Sequence, residues 1–176
     1  NRGPVAHPLH VLPTLWFRNT WIWGCAHEGC WIKPRIDREQ ERLLSTHHIS
    51  FGRHDFAIGT KMRDLLFTEN ETNTEKLWGT PQYTPYVKDA FHRYLIDGDR
   101  KAIAPKPRGT KIAPHYLFDL RPGESKTIEL RLFEHGQTPE HPFGNDFDRI
   151  FELRQKQADD FYAARMPEGL GEDERR

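Results

Sequence analysis

Between residues 111 and 133 the chain alternates, and this alternation restricts the possible folds more than any other stretch. Ile112, Pro114, Tyr116, Phe118 and Leu120 share one parity. Ile128, Leu130 and Leu132 then alternate with Thr127, Glu129 and Arg131. Successive side chains of a strand point to opposite faces, so each run presents one apolar face. A sheet built from such strands must cover that face with a second layer. Between the runs stands Arg121-Pro122-Gly123-Glu124. Proline presets the first central dihedral of a type II turn, and glycine takes the positive second one. The pattern reads as an antiparallel hairpin in a β-sandwich.

Other segments fit the same class. Residues 5–18, VAHPLHVLPTLWFR, read as a long strand interrupted by Pro8 and Pro13. Proline cannot donate to a ladder, so this strand is expected at a sheet edge or bent. Short strands are expected near His48–Gly52, Phe56–Thr60 and Leu65–Thr68. Residues 24–45 and 97–110 read as surface loops, rich in charge and turn-forming residues. Thr84-Pro85 fits the start of a short helix, with Thr84 as cap. From 146 to 165 the period becomes helical, through Phe147, Ile150, Phe151, Ala158, Phe161 and Tyr162. Asp146 is the expected cap and Pro167 ends the run. One helix after many strands suggests a junction to a helical domain.

Composition narrows the functional classes. The 176 residues suffice for one domain with a core. The 26 Lys and Arg match the 26 Asp and Glu, which argues against a dedicated binder of nucleic acid or anionic membrane. No apolar run has membrane-spanning length and no signal peptide opens the chain, so the cytoplasm is the expected compartment. The first residue is Asn1 and the first segment is already strand-like, so the chain reads as a piece of something longer, with an open sheet edge. Cys25, His27 and Cys30 offer three metal-ligand types at an unusual spacing. They read as free thiols beside a histidine, and no metal or cofactor is expected.

The stretch most suggestive of function is 65–94, LLFTENETNTEKLWGTPQYTPYVKDAFHRY. An apolar strand runs into six polar residues, Glu69 to Thr74. Strand ends that turn polar are where a scaffold presents side chains to a ligand or partner. Glu69 and Glu71 share a face if extended, and they repel unless a cation, ligand or water lies between them. Lys88, His92 and Arg93 are the candidate partners. A solvated loop with incidental charges is the competing reading. Trp16, Trp21, Trp23, Trp31 and Trp78 crowd into the first half. Tryptophans build cores, and they also stack on sugar rings.

The segments HVLPTLWFRNTWIWG, LLFTENETNTEKLWG, PYVKDAFHRYLIDG, GTKIAPHYLFDLRPGES and DFYAARMPEGLGEDERR together resemble large bacterial proteins of glycoside hydrolase family 63. These are glucosidase-like relatives of mannosyl-oligosaccharide glucosidase. The resemblance covers nearly the whole chain in the same order. It implies a mainly β fold, an antiparallel β-sandwich that is part of a supersandwich, with a C-terminal linker helix. Residues 1–140 correspond to the later part of an N-terminal sandwich, and 141–176 to the linker. The implied partner is a helical (α/α)6 barrel of the same parent chain, which carries the two catalytic carboxylates for inverting hydrolysis of glucosides or oligosaccharides. This chain alone is then expected to be inactive. Its implied substrate-binding or inter-domain residues are Glu69, Asn70, Glu71, Asn73, Lys88, Asp89 and His92, with Trp16, Arg18, Trp21 and Trp23. An independent carbohydrate-binding module and a purely structural domain are the alternatives.

Overall fold

The computed structural model describes residues 1–22, 31–137, 139–167, 169 and 171. The chain forms two compact units, Asn1–Thr138 and Pro139–Arg176. The first holds strands β1 (His7–Val11), β2 (Leu15–Trp16), β3 (Arg35–Gln40), β4 (Leu43–His48), β5 (Gly52–Ile58) and β6 (Asp64–Thr68). Helices α1 (Thr74–Trp78) and α2 (Ala90–Leu95) follow, then β7 (Arg108–Gly109), β8 (Lys111–Leu120) and β9 (Leu130–Glu134). The second unit holds helix α3 (Asn145–Ala163). Among the described residues the chain is mainly β, built from two antiparallel sheets with one helix near the C-terminus.

The first sheet is organised around β8. On one edge β1 and β2 continue in a single register, from His7 opposite Leu120, through Val11 opposite Tyr116, to Trp16 opposite Lys111. The long proline-interrupted strand expected at 5–18 is therefore one edge strand, broken around Pro13. On the other edge β6 pairs with β8 from Asp64–His115 to Thr68–Lys111. The second sheet has the order β7-β3-β4-β5-β9, with every pair antiparallel.

The core lies between the sheets. Ile36, Leu44, Phe56 and Ile58 of the second sheet meet Phe67, Ile112 and Tyr116 of the first. Truncating a side chain in such a core costs about 2–5 kcal/mol. The outer face of the first sheet is covered as well. Leu66 and Ala113 pack on Phe91 of α2, with Tyr94 and Ile103 beside them. Both faces of β8 are therefore buried from Ile112 to Tyr116.

Several local expectations are corrected. The runs 111–120 and 128–132 do not pair as a hairpin. Both edges of β8 are already occupied, so the chain crosses to the second sheet, where β9 pairs with β5. The turn itself forms as expected: Gly123 has φ 78°, and the Glu124 N–H donates to the Arg121 carbonyl. The expected loop at 24–45 contains β3 and the start of β4. The single core residue of β3, Ile36, is hidden among charges, and residues 24–30 lie outside the described residues. His48–Gly52 is the β4–β5 turn rather than a strand. There the His48 ring accepts the N–H groups of Ser50 and Phe51. No helix starts at Thr84; α2 starts at Ala90 after Asp89. The polar run ends in α1, capped by Asn73 and stopped by Gly79 at φ 66°. Gly144, not Asp146, stands at the cap of α3.

Candidate functional site

The polar run after β6 is pinned along both sides. The buried Thr68 hydroxyl donates to the Val87 carbonyl at 2.9 Å. The Glu69 N–H donates to the Tyr86 carbonyl, and the Lys88 N–H donates to the Glu71 carbonyl at 2.9 Å. Asn70 clasps the opposite side. Its N–H donates to the Thr110 hydroxyl at 2.8 Å, its amide to the Phe17 carbonyl at 2.9 Å, and its own carbonyl accepts the Asn19 amide. Thr110 in turn donates its hydroxyl to Glu69 Oε2 at 2.7 Å. Residues 69–73 are half-buried, and Glu69, Asn70 and Glu71 are held by these bonds rather than left to solvent.

Glu69 and Glu71 do meet a cation, though none of those expected. Lys33 Nζ lies 3.1 Å from Glu69 Oε2 and 2.7 Å from Glu71 Oε1. The Trp21 indole N–H donates to the same Glu71 oxygen at 3.3 Å, and the ammonium stands 5.8 Å from the Trp21 ring. Burial works against the charge on Lys33, but the hydrogen bond to Glu71 and the charge of Glu69 outweigh it, so its pKa sits above the ordinary lysine value. Lys88 contributes its backbone to this region while its residue is exposed, and Arg93 pairs with Asp99 at 2.6 Å.

Asn73 organises the next segment. Its Oδ1 accepts the Lys76 N–H as the cap of α1 and also takes the Gln82 amide. Its Nδ2 donates to both Asp89 oxygens, at 3.2 and 3.0 Å. Beside this framework lies a cavity of about 270 Å³, with Asn19, Glu71, Thr72, Gln82, Trp78 and Tyr83 among its walls. Trp78 is 69% exposed and Tyr83 98% exposed. The Asn19 Oδ1 atom is buried without a hydrogen-bond partner. Fixed carboxylate, amide and hydroxyl groups beside open aromatic faces suit a ligand that carries hydroxyls on an apolar frame.

The structure thus joins Glu69, Asn70, Glu71 and Trp21, and it ties Asn73 to Asp89. Trp16 lies on β2 with its ring half exposed, and Arg18 and His92 are exposed. None of these three lines the cavity. Trp23, like Cys25, His27 and Cys30, lies outside the described residues. Sequence reasoning missed Lys33, Asn19, Thr110, Gln82 and Tyr83 as site residues. Lys33 and Thr110 are far from Glu69 in sequence and no spacing pattern links them. Tyr83 carries a weak signal, an aromatic in a Gly- and Pro-containing connection. Among the described residues, no helix is long and apolar enough to cross a membrane.

No protein-family model matches the chain. Over 194 aligned residues it is 30% identical to the uncharacterized protein YMR196W of Saccharomyces cerevisiae. The alignment takes in 92% of this chain and 18% of the yeast protein, so the chain spans under a fifth of the length of that curated relative. No solved structure matches significantly.

Proposed function

We propose that this chain is the non-catalytic β-sandwich portion of a glucosidase-like glycoside hydrolase. In this reading its 69–93 edge faces the catalytic domain and helps to shape the pocket for a glucoside or oligosaccharide. The observation that carries the reading is Glu71, which Lys33 joins to Glu69 and to which the Trp21 indole donates, at the wall of a cavity also lined by Trp78 and Tyr83. Such an arrangement costs solvation of three charged groups and does not serve the sandwich core. The two-sheet architecture and the resemblance to glycoside hydrolase family 63 support the same reading. Catalysis is assigned to the partner barrel, so the chain alone hydrolyses no glycoside. The open aromatic faces also fit an independent carbohydrate-binding module, and the test separates the two.

The test uses the longer parent enzyme. Glu71→Gln keeps the shape of the side chain, and Lys88→Ala alters an exposed one. Both are expected to lower kcat/KM about tenfold, equivalent to about 1.4 kcal/mol, while Tm changes little for Lys88→Ala. Unchanged kinetics in both variants would sink the proposal. Saccharide binding by the chain alone with unchanged parent kinetics would favour the independent module. Turnover of an aryl glucoside by this chain alone, abolished by Glu69→Gln or Glu71→Gln, would overturn the non-catalytic assignment.

A further inference from the structure

Two imidazoles meet where the edge strand joins the centre of the first sheet. His10 of β1 and His115 of β8 meet edge to edge, with ring centroids 5.0 Å apart and planes 9° from parallel. His10 Nδ1 lies 2.8 Å from His115 Nε2. At this separation one proton occupies the space between the nitrogens, whichever ring carries it, and a second proton there would face the first. The His115 side chain is 3% exposed, and its Nδ1 is buried without a hydrogen bond.

The charged and titratable neighbours come from every surrounding element. Asp64 of β6 places Oδ2 3.8 Å from His115 Nδ1. Tyr94 of α2 donates its hydroxyl to that oxygen at 3.3 Å, and Arg63 lies 3.9 Å from it. Arg100 stands over the Tyr94 ring, and the whole group lines a cavity of about 150 Å³.

We propose that the His10–His115 pair is a proton-controlled latch that fastens the β1 edge to β8, closed while the pair carries at most one added proton and open when both rings are charged. One added proton is compatible with the shared bond, because an imidazolium N–H still donates to a neutral ring. It is also compatible with Asp64, which faces the remaining nitrogen of His115. A second added proton sets two cations against each other and removes the only acceptor between them. In the unfolded chain both rings charge near the ordinary histidine value of about 6.5. The folded state then binds fewer protons than the unfolded one, so attachment of β1 is strongest above that pH and weakens as pH falls through it. Burial and the charge of His10 hold His115 below the ordinary histidine range, against the opposing pull of Asp64, which is the same direction. Four of the five β1 residues are exposed, so little apolar burial holds the strand once the latch opens.

The test is amide hydrogen exchange on the whole chain between pH 7.5 and 4.5, read as protection factors corrected for the intrinsic pH dependence of exchange. Protection of the β1 amides is expected to fall by up to about tenfold per pH unit below 6, relative to β4 and β5. His10→Phe keeps an aromatic ring but shares no proton, and His10→Asn can donate to His115 Nε2 but cannot charge. Either is expected to make the relative fall shallower than in the wild type over the same range, the remainder coming from the burial of His115. Nitrogen-15 shifts of the wild-type rings provide a readout independent of any variant: loss of β1 protection should coincide with the second charge on the pair. Both rings charged with β1 still protected would overturn the latch, as would an unchanged pH slope in the variant that folds.

Discussion

Replacing Lys33 with Met keeps most of the stem and removes the cation between Glu69 and Glu71. Both carboxylates touch the same ammonium, at 3.1 and 2.7 Å, so without it two like charges face each other about 5 Å apart. At an effective dielectric of about 20 that repulsion is on the order of 3 kcal/mol. The ammonium is 36% exposed and the carboxylates about a fifth, so solvent screens much of this. The expected net loss is about 1–2 kcal/mol, which for a unit of this size lowers Tm by roughly 3–8 °C. Thermal unfolding followed by circular dichroism, at low salt and in about 1 M NaCl, measures it, and high salt should remove about half the difference. The double variant Lys33→Met with Glu71→Gln should recover most of the loss, because only one carboxylate then remains charged. A Lys33→Met Tm within 1 °C of wild type, or a double variant whose losses simply add, would refute the reasoning that Lys33 clamps a repelling pair.

Two further predictions rest on single positions. A Cβ at Gly109 would run into the backbone carbonyl of Thr68, where β7 passes the end of β6, so Gly109→Ala should destabilise by about 2–4 kcal/mol in chemical denaturation; a loss under about 0.5 kcal/mol would show that the backbone yields there. Asn73→Ala removes the α1 cap and the link to Asp89 together, and should cost about 1–2 kcal/mol while raising the exchange rate of the Lys76 amide; an unchanged Lys76 rate would refute the capping role.

The sequence alone determined the fold class and the nature of the strands. Alternation in Ile112 to Leu120 sufficed for a strand with an apolar face, because side-chain period is a property of the backbone and needs no partner. Prolines 8 and 13 sufficed for a strand that is at an edge or bent, because a missing N–H is local. The 146–165 helix followed from its period for the same reason. What paired with what was decided only in three dimensions. The β8 strand had the marks of a hairpin partner for β9, yet β1, β2 and β6 occupy both its edges, and strand pairing is a competition that no single segment reveals. Helix α2 buries the outer face of β8 as well, which is why His115 lies inside despite its polar parity. The candidate site divides in the same way. Glu69 and Glu71 were legible as a pair that needed a cation, a ligand or water between them, since their spacing places like charges together. The identity of that cation was not legible, because Lys33 reaches them only when the chain from 31 to 34 passes the end of β6. Electrostatic partnership depends on distance in space, and only the tertiary fold sets that distance.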